Sequence, residues 1–264
     1  MNGKLFVIGI GPGDPELLTL KAFRILERVP TLCVPKGREE GTSLALSIVR
    51  QAVNLEGTEI IEAHFPMKKI RGQASESRIQ NPEEKRQLQK SRNPDTELVR
   101  KWDVVAEQII SRLVQGTDVA FITLGDPTIY STYFYLHDAL LLRLPNLVIE
   151  FIPGISSVTA AASRAGISLG LGDEKIAILP ATYAGDIRTV LTGFDTVVLM
   201  KVHSVFADIL PVLKEAKLEG NCVYVARAGM PDERIVFDIC SITAEDLDYF
   251  SILIVRTRKP HASA

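Results

Sequence analysis

An α/β protein of two domains is what this sequence predicts: an open, mostly parallel five-stranded sheet in residues 1–152, then a mixed sheet in residues 153–264. Three observations carry that expectation. Short apolar runs alternate with amphipathic stretches through the first part, the pattern of repeated strand–helix–strand units joined by right-handed crossovers. Pro153-Gly154 then breaks the chain. Beyond it, Gly220 and Gly229-Met230-Pro231-Asp232 separate closely spaced strand-like runs, which reads as a hairpin, a connection between antiparallel strands.

In order, strands are expected near Lys4–Ile10, Thr31–Val34, Glu59–Ala63, Val119–Leu124 and Leu147–Ile152. Each is a β-branched or aliphatic run bounded by turn residues. Helices fill the intervals around Leu18–Arg28, Ser43–Val53, Glu97–Gln115 and Tyr130–Leu142; in the first of these Ala22, Ile25, Leu26 and Val29 fall on one face. The second part is expected to hold strands near Lys175–Leu179, Thr196–Lys201, Asn221–Ala226, Arg234–Asp238 and Ser251–Arg256, after a small-residue helix at Thr159-Ala160-Ala161-Ala162-Ser163.

Composition narrows the function classes. The 264 residues are 46% hydrophobic and 23% charged, with a net charge of −2. No apolar run approaches the ~18 residues needed to cross a bilayer, and Met1 leads directly into a strand without a signal-peptide pattern, so no membrane partner is expected. Cys33, Cys222 and Cys240 are widely spaced in strand-like contexts and read as buried free thiols, consistent with a cytoplasmic location. His64, His137, His203 and His261 are scattered, and no spacing suggests a protein-bound metal. One stretch departs from the rest: Met67 to Lys101 carries ten basic residues against five acidic ones. It reads either as solvated surface or as a basic lid for a polyanion. Nucleic acid is disfavoured, because the chain as a whole is acidic and the stretch lacks interleaved aromatics.

Three loops at strand ends concentrate the chemistry. Gly125-Asp126-Pro127-Thr128-Ile129-Tyr130-Ser131-Thr132-Tyr133 follows the apolar run Val119–Leu124, placing hydroxyls and a carboxylate where α/β sheets bind ligands. Gly9-Ile10-Gly11-Pro12-Gly13-Asp14-Pro15 follows the first strand. Its glycine spacing misses the dinucleotide fingerprint by one residue, and Pro12 and Pro15 lack the amide donors a phosphate would need. The third is Pro153-Gly154-Ile155-Ser156-Ser157.

Together these loops resemble the tetrapyrrole methylase family, S-adenosylmethionine-dependent methyltransferases that act on corrin and sirohaem precursors. The pattern Gly-x-Gly-Pro-Gly-Asp-Pro-x-x-Leu-Thr-x-x-Ala lies at Gly9 to Ala22, and the other two loops follow in the family's order. The form Gly-Asp-Pro-Thr-x-Tyr-Ser-Thr-Tyr is similar to that of the carbon-20 methyltransferases of cobalamin synthesis; other members carry a glycine where this chain has Ser131-Thr132. The resemblance spans roughly Lys4 to Arg256. It implies S-adenosyl-L-methionine as co-substrate, an anionic tetrapyrrole as acceptor, a homodimer, and a site in a cleft between the two domains. It assigns the donor to Gly125, Asp126, Ile129, Tyr130, Ser131, Thr132, Met200, Ala226 and Ala228. Carbon 20 of cobalt-factor II is the implied acceptor, with metal-free precorrin-2 or another ring position as alternatives; a non-catalytic nucleotide-binding module is the rival of a different class.

Methylating a meso carbon requires loss of its proton, so a base beside the methyl group is expected. Asp126, Lys201 and Tyr249 are the catalytic candidates: Asp126 as base or turn cap, Lys201 as partner of a substrate carboxylate, Tyr249 as an orienting hydroxyl. Arg227 is a further carboxylate partner, and His203 either a substrate contact or a polar loop residue.

Overall fold

The computed structural model describes residues 2–37, 43–64, 96–183 and 185–258. Most of the basic stretch at 67–101, including all of 67–95, lies outside them, so its reading as a lid or a solvated loop is not addressed by the fold. The chain divides into two compact units, residues 1–11 with 15–154 and residues 12–14 with 155–264.

The first unit is a five-stranded, wholly parallel sheet in the order β3-β2-β4-β1-β5, made of β1 (Leu5–Gly9), β2 (Thr31–Lys36), β3 (Glu59–His64), β4 (Val119–Thr123) and β5 (Ile149–Ile152). Among the described residues, four helices stand in the connections: α1 (Leu20–Leu26), α2 (Leu44–Ala52), α3 (Thr96–Leu113) and α4 (Tyr133–Arg143). The strand order explains which face each helix covers. Crossovers β1-α1-β2 and β2-α2-β3 run one way along the sheet, whereas β3-α3-β4 and β4-α4-β5 run the other. Right-handedness then sends the two pairs to opposite faces. Side-chain packing agrees. Ile8, Ile10, Ala120 and Ile122 pack with Leu26, Leu46 and Val49, while Leu5, Val7, Val119 and Phe121 pack with Ile109, Leu113, Leu136 and Leu140. Because the crossovers of the neighbouring strands β1 and β4 leave in opposite directions, their carboxyl ends form the sheet's switch point, where such folds bind ligands.

The second unit is a mixed five-stranded sheet, β6-β7-β10-β8-β9, from β6 (Ile176–Pro180), β7 (Thr196–Met200), β8 (Cys222–Ala226), β9 (Arg234–Val236) and β10 (Ser251–Arg256). The hairpin expected from Gly229 and Pro231 is β8–β9, paired antiparallel from Tyr224↔Val236 to Ala226↔Arg234. One face packs on α5 (Ser157–Arg164) through Val198, Val223, Val225 and Ile254. The other packs on α6 (Ile187–Gly193) and α7 (Phe206–Glu215), two helices that sequence patterning did not single out, through Val197, Leu199, Tyr224 and Leu253.

Local chemistry sets several boundaries. Thr19, Ser43, Ser156 and Asp186 each accept a backbone N–H of the first turn of their helix, so α1, α2, α5 and α6 start where those side chains stand. The first helix accordingly begins at Leu20, not Leu18. The fourth begins at Tyr133, not Tyr130, because Tyr130 has φ +53° and cannot enter a right-handed helix. Cys33 and Cys222 are buried as expected, and burial drives both thiols up, Cys222 to about 12. Cys240 is a correction: it is exposed in the 3-10 turn Ile239–Ser241.

Candidate active site

At the switch point of the first unit, three glycines bring backbone against backbone. A Cβ built on Gly9 would stand 2.6 Å from the Gly125 carbonyl oxygen and 2.7 Å from the Gly154 nitrogen. One built on Gly154 would stand 2.3 Å from that same oxygen and 2.7 Å from the Gly9 carbonyl carbon. Only hydrogen fits at either Cα. Beyond the strand ends, the loops after β1 and β4 are joined by two hydrogen bonds, Gly125 N–H to Gly11 oxygen at 2.7 Å and Gly11 N–H to Gly125 oxygen at 3.3 Å. Gly125, with φ +69°, makes the turn that this bridge requires.

Asp126 follows directly, half-buried. Its Oδ1 accepts the Thr128 amide at 2.8 Å and the Thr128 hydroxyl, and its Oδ2 accepts the Gly154 amide at 3.0 Å. Burial pulls its pKa upward, but those donors outweigh it and hold the carboxyl below the usual aspartate value. Asp126 therefore clamps its own turn and ties the β4 loop to the β5 loop. That is turn-cap geometry, and it leaves a weak proton acceptor. Among the residues implied to hold the donor, Ser131 donates to Thr123 Oγ1 at 3.2 Å and accepts the Tyr133 amide at 3.2 Å. Thr132 is the residue preceding α4, and its hydroxyl makes no capping bond there. Ile129 closes the turn through its amide to the Asp126 oxygen at 3.3 Å.

In the second unit, β7 and β8 run the same way with β10 antiparallel between them, so the ends of β7 and β8 and the start of β10 share one edge. That topology brings together Met200-Lys201, Ala226-Arg227-Ala228 and Tyr249-Phe250. Lys201 donates its amide to the Ser251 oxygen at 3.0 Å, and Arg227 donates its amide to the Phe250 oxygen at 2.8 Å, one on each side of the entry to β10. Both have left-handed backbones, φ +56° and +53°. Among the described residues only four non-glycines have positive φ, and Tyr130, Lys201 and Arg227 are three of them; Lys201 and Arg227 directly follow strands, and Tyr130 lies in the loop between β4 and α4. Such conformations cost about 1–3 kcal/mol each and concentrate at functional sites.

The side chains at this edge form a packed set. The Lys201 ammonium lies 5.8 Å from the centroid of the Tyr249 ring, a cation–π contact. The His203 ring meets Tyr249 edge-on at 5.5 Å, with its Nδ1 buried and unpartnered in the protein. Burial lowers the Lys201 pKa and raises that of Tyr249, in each case by penalising the charged form. Arg227 is ion-paired to Asp232 at 2.6 Å, which together with Asp248 keeps its guanidinium charged against the pull of burial. Ala226 and Ala228 are small and buried. Residues 12–14 pack on the same loop, since a Cβ on Gly13 would lie 2.4 Å from Met230 Cγ and one on Gly229 3.3 Å from the Asp14 nitrogen.

Every candidate from the sequence thus stands at the carboxyl edge of a sheet or, for Tyr249, beside it. Sequence reasoning missed Glu233, whose buried carboxylate accepts the Gly229 amide at 2.7 Å. A lone glutamate between a turn and a strand carries no signal of its own.

The sequence profile described as Tetrapyrrole (Corrin/Porphyrin) Methylases matches residues 4–241. The chain belongs to that family. The tetrapyrrole methylases are S-adenosylmethionine-dependent methyltransferases, and this member is an enzyme of that class. It is similar, at 33% identity over 99% of its length and 100% of the relative, to the cobalt-precorrin-2 C(20)-methyltransferase of Salmonella typhimurium. At 32% identity over 97% of each chain, it is similar to a probable cobalt-precorrin-2 C(20)-methyltransferase of Methanocaldococcus jannaschii. The fold matches that of the uroporphyrin-III C-methyl transferase of Thermus thermophilus complexed with S-adenosylhomocysteine, with a TM-score of 0.61 at 19% identity, covering 96% of this chain and 92% of that one. Among the described residues no group of three or more His, Cys, Asp or Glu is placed to hold a metal ion.

Proposed function

We propose that this tetrapyrrole methylase transfers the methyl group of S-adenosyl-L-methionine to carbon 20 of a cobalt-bearing precorrin-2 ring, cobalt-precorrin-2 or its oxidised form cobalt-factor II. The observation that carries this reading is similarity along the whole length to two relatives that share this named activity, at 33% and 32% identity. In the reaction the sulfonium carbon–sulfur bond breaks, a bond forms from methyl to carbon 20, and the carbon-20 proton leaves. The products are S-adenosylhomocysteine, the methylated ring and one proton.

The donor is assigned to Gly125, Asp126, Ile129, Tyr130, Ser131, Thr132, Met200, Ala226 and Ala228. Backbone amides and small side chains dominate these positions, which suits an adenine edge and an amino-acid head group. Thr132 is the hydroxyl favoured for the head group, since Ser131 already serves Thr123 and Tyr133. Asp126 holds the loop and supplies a fixed negative charge. Of the three catalytic candidates, Lys201 is the one whose surroundings move its pKa towards neutrality, and we assign it the carbon-20 proton. Tyr249 orients it through the ring face and presents its hydroxyl to the acceptor. A cytoplasmic homodimer completes the proposal, on the strength of the family resemblance; light scattering of the purified protein tests the dimer.

The function is tested by supplying S-adenosylmethionine carrying a 13C-methyl group with cobalt-precorrin-2 and, separately, metal-free precorrin-2. The expected result is one added methyl per ring, located at carbon 20 by NMR, with the cobalt substrate turned over faster. Methylation at another carbon, or preference for the metal-free ring, would replace the assignment.

A further inference from the structure

We infer that Glu233 is a positioning residue for the methyl donor, acting through the backbone of the loop that follows β8. The inference rests on the assignment of Ala226 and Ala228 to donor binding. That loop needs an external hold. Arg227 has φ +53° and Gly229 φ +78°, so two residues out of three are in the left-handed region that only glycine adopts freely. Two backbone bonds tie its ends, Arg227 amide to Phe250 oxygen at 2.8 Å and Met230 amide to Arg227 oxygen at 2.9 Å. Neither reaches the Gly229 amide.

Glu233 does. Its Oε2 accepts the Gly229 N–H at 2.7 Å, and its two oxygens accept Arg164 Nε at 2.7 and 3.0 Å. Its side chain is 9% exposed, whereas that of Arg164 is 58% exposed, so the buried end of this chain of contacts is the carboxylate on the loop amide. A carboxylate is buried in this way only where its hydrogen bonds repay the lost hydration. Through Arg164 the same carboxylate is joined to the last residue of α5, the helix that begins in the Pro153–Ser157 loop. Gly229 in turn abuts Asp14, so releasing its amide would loosen the packing of residues 12–14 as well. Glu233 therefore sets the course of the 226–230 backbone without being assigned a contact to donor or acceptor.

The test compares Glu233→Ala and Glu233→Gln with the parent enzyme, by calorimetry with S-adenosylhomocysteine and by steady-state kinetics in both substrates. Losing the acceptor for a buried amide should weaken S-adenosylhomocysteine binding by about tenfold in Glu233→Ala and raise the donor KM to match. The tetrapyrrole KM should stay within about twofold, because the lesion lies in one loop. Glu233→Gln keeps an oxygen for the Gly229 amide and should return donor affinity to within about threefold of the parent. If Glu233→Ala does not fold, Glu233→Asp takes its place: one methylene shorter, it should lose donor affinity while remaining folded. Equal changes in both KM values, unchanged donor binding, or a Gln variant as poor as Ala would overturn the inference while leaving the donor assignment standing. A parent enzyme that fails to bind S-adenosylhomocysteine would overturn the donor assignment and this inference with it.

Discussion

The sheet edges that carry candidate residues in the two units are built from different materials. At the first, Gly9, Gly125 and Gly154 press backbone on backbone, and the one carboxylate, Asp126, is spent on amides and a hydroxyl of its own loops. At the second, long side chains dominate: Lys201 over Tyr249, His203 against the same ring, and Arg227 paired with Asp232, with Lys201 and Arg227 on left-handed backbone. Glycine contacts give a rigid surface rich in backbone donors and acceptors, suited to holding a ligand of fixed shape. The second edge gives groups with displaced pKa values, suited to moving a proton.

The comparison breaks most visibly at the glycines. Gly154→Ala should cost at least about 4 kcal/mol of stability, enough to prevent accumulation of folded protein, because its Cβ would meet only backbone atoms, which cannot rotate away. Gly193→Ala, whose added methyl would find nothing within 4 Å, should stay within about 0.5 kcal/mol of the parent. Thermal and urea unfolding of the pair measures this, and a well-folded Gly154→Ala enzyme would show that the first edge is not a rigid surface.

At the second edge the effect should be on rate. Lys201→Gln should remain folded and bind S-adenosylhomocysteine normally while kcat falls about 10²–10⁴-fold, the usual contribution of a positioned base. Burial lowers the Lys201 pKa, so in the parent kcat should rise with pH as the ammonium loses its proton, at a midpoint below that of a free lysine. The Gln variant should lack that rise. A parental rate in the variant would return Lys201 to the role of a carboxylate partner.

The smallest effect is expected at Asp126. Asp126→Asn removes one of two accepting oxygens and should cost about 1–2 kcal/mol at neutral pH. Its folded pKa lies below the unfolded value, so this contribution is fully present above the unfolded value and is lost as pH falls through the folded one. The difference between parent and variant should therefore shrink in acid. A constant difference across that range would mean that the charge of Asp126 does not matter to the loop.

The sequence by itself determined the two kinds of sheet and the loops at which chemistry is concentrated. Apolar periodicity marks strands regardless of partners, and Gly-Asp-Pro and Pro-Gly turns are legible because so few residues tolerate the required backbone. It also reached Lys201 and Tyr249 as single candidates. Only the tertiary structure decided that they touch, since β10 must run antiparallel between β7 and β8 to bring residue 249 beside residue 201. The same holds for the Gly9–Gly154 contact, made by parallel pairing of β1 with β5, and for Glu233 on the Gly229 amide. Local pattern reports what a residue can adopt within a few neighbours. Which distant backbone lies against it, and whether its carboxylate is spent on the fold or left for chemistry, is set by strand order and burial.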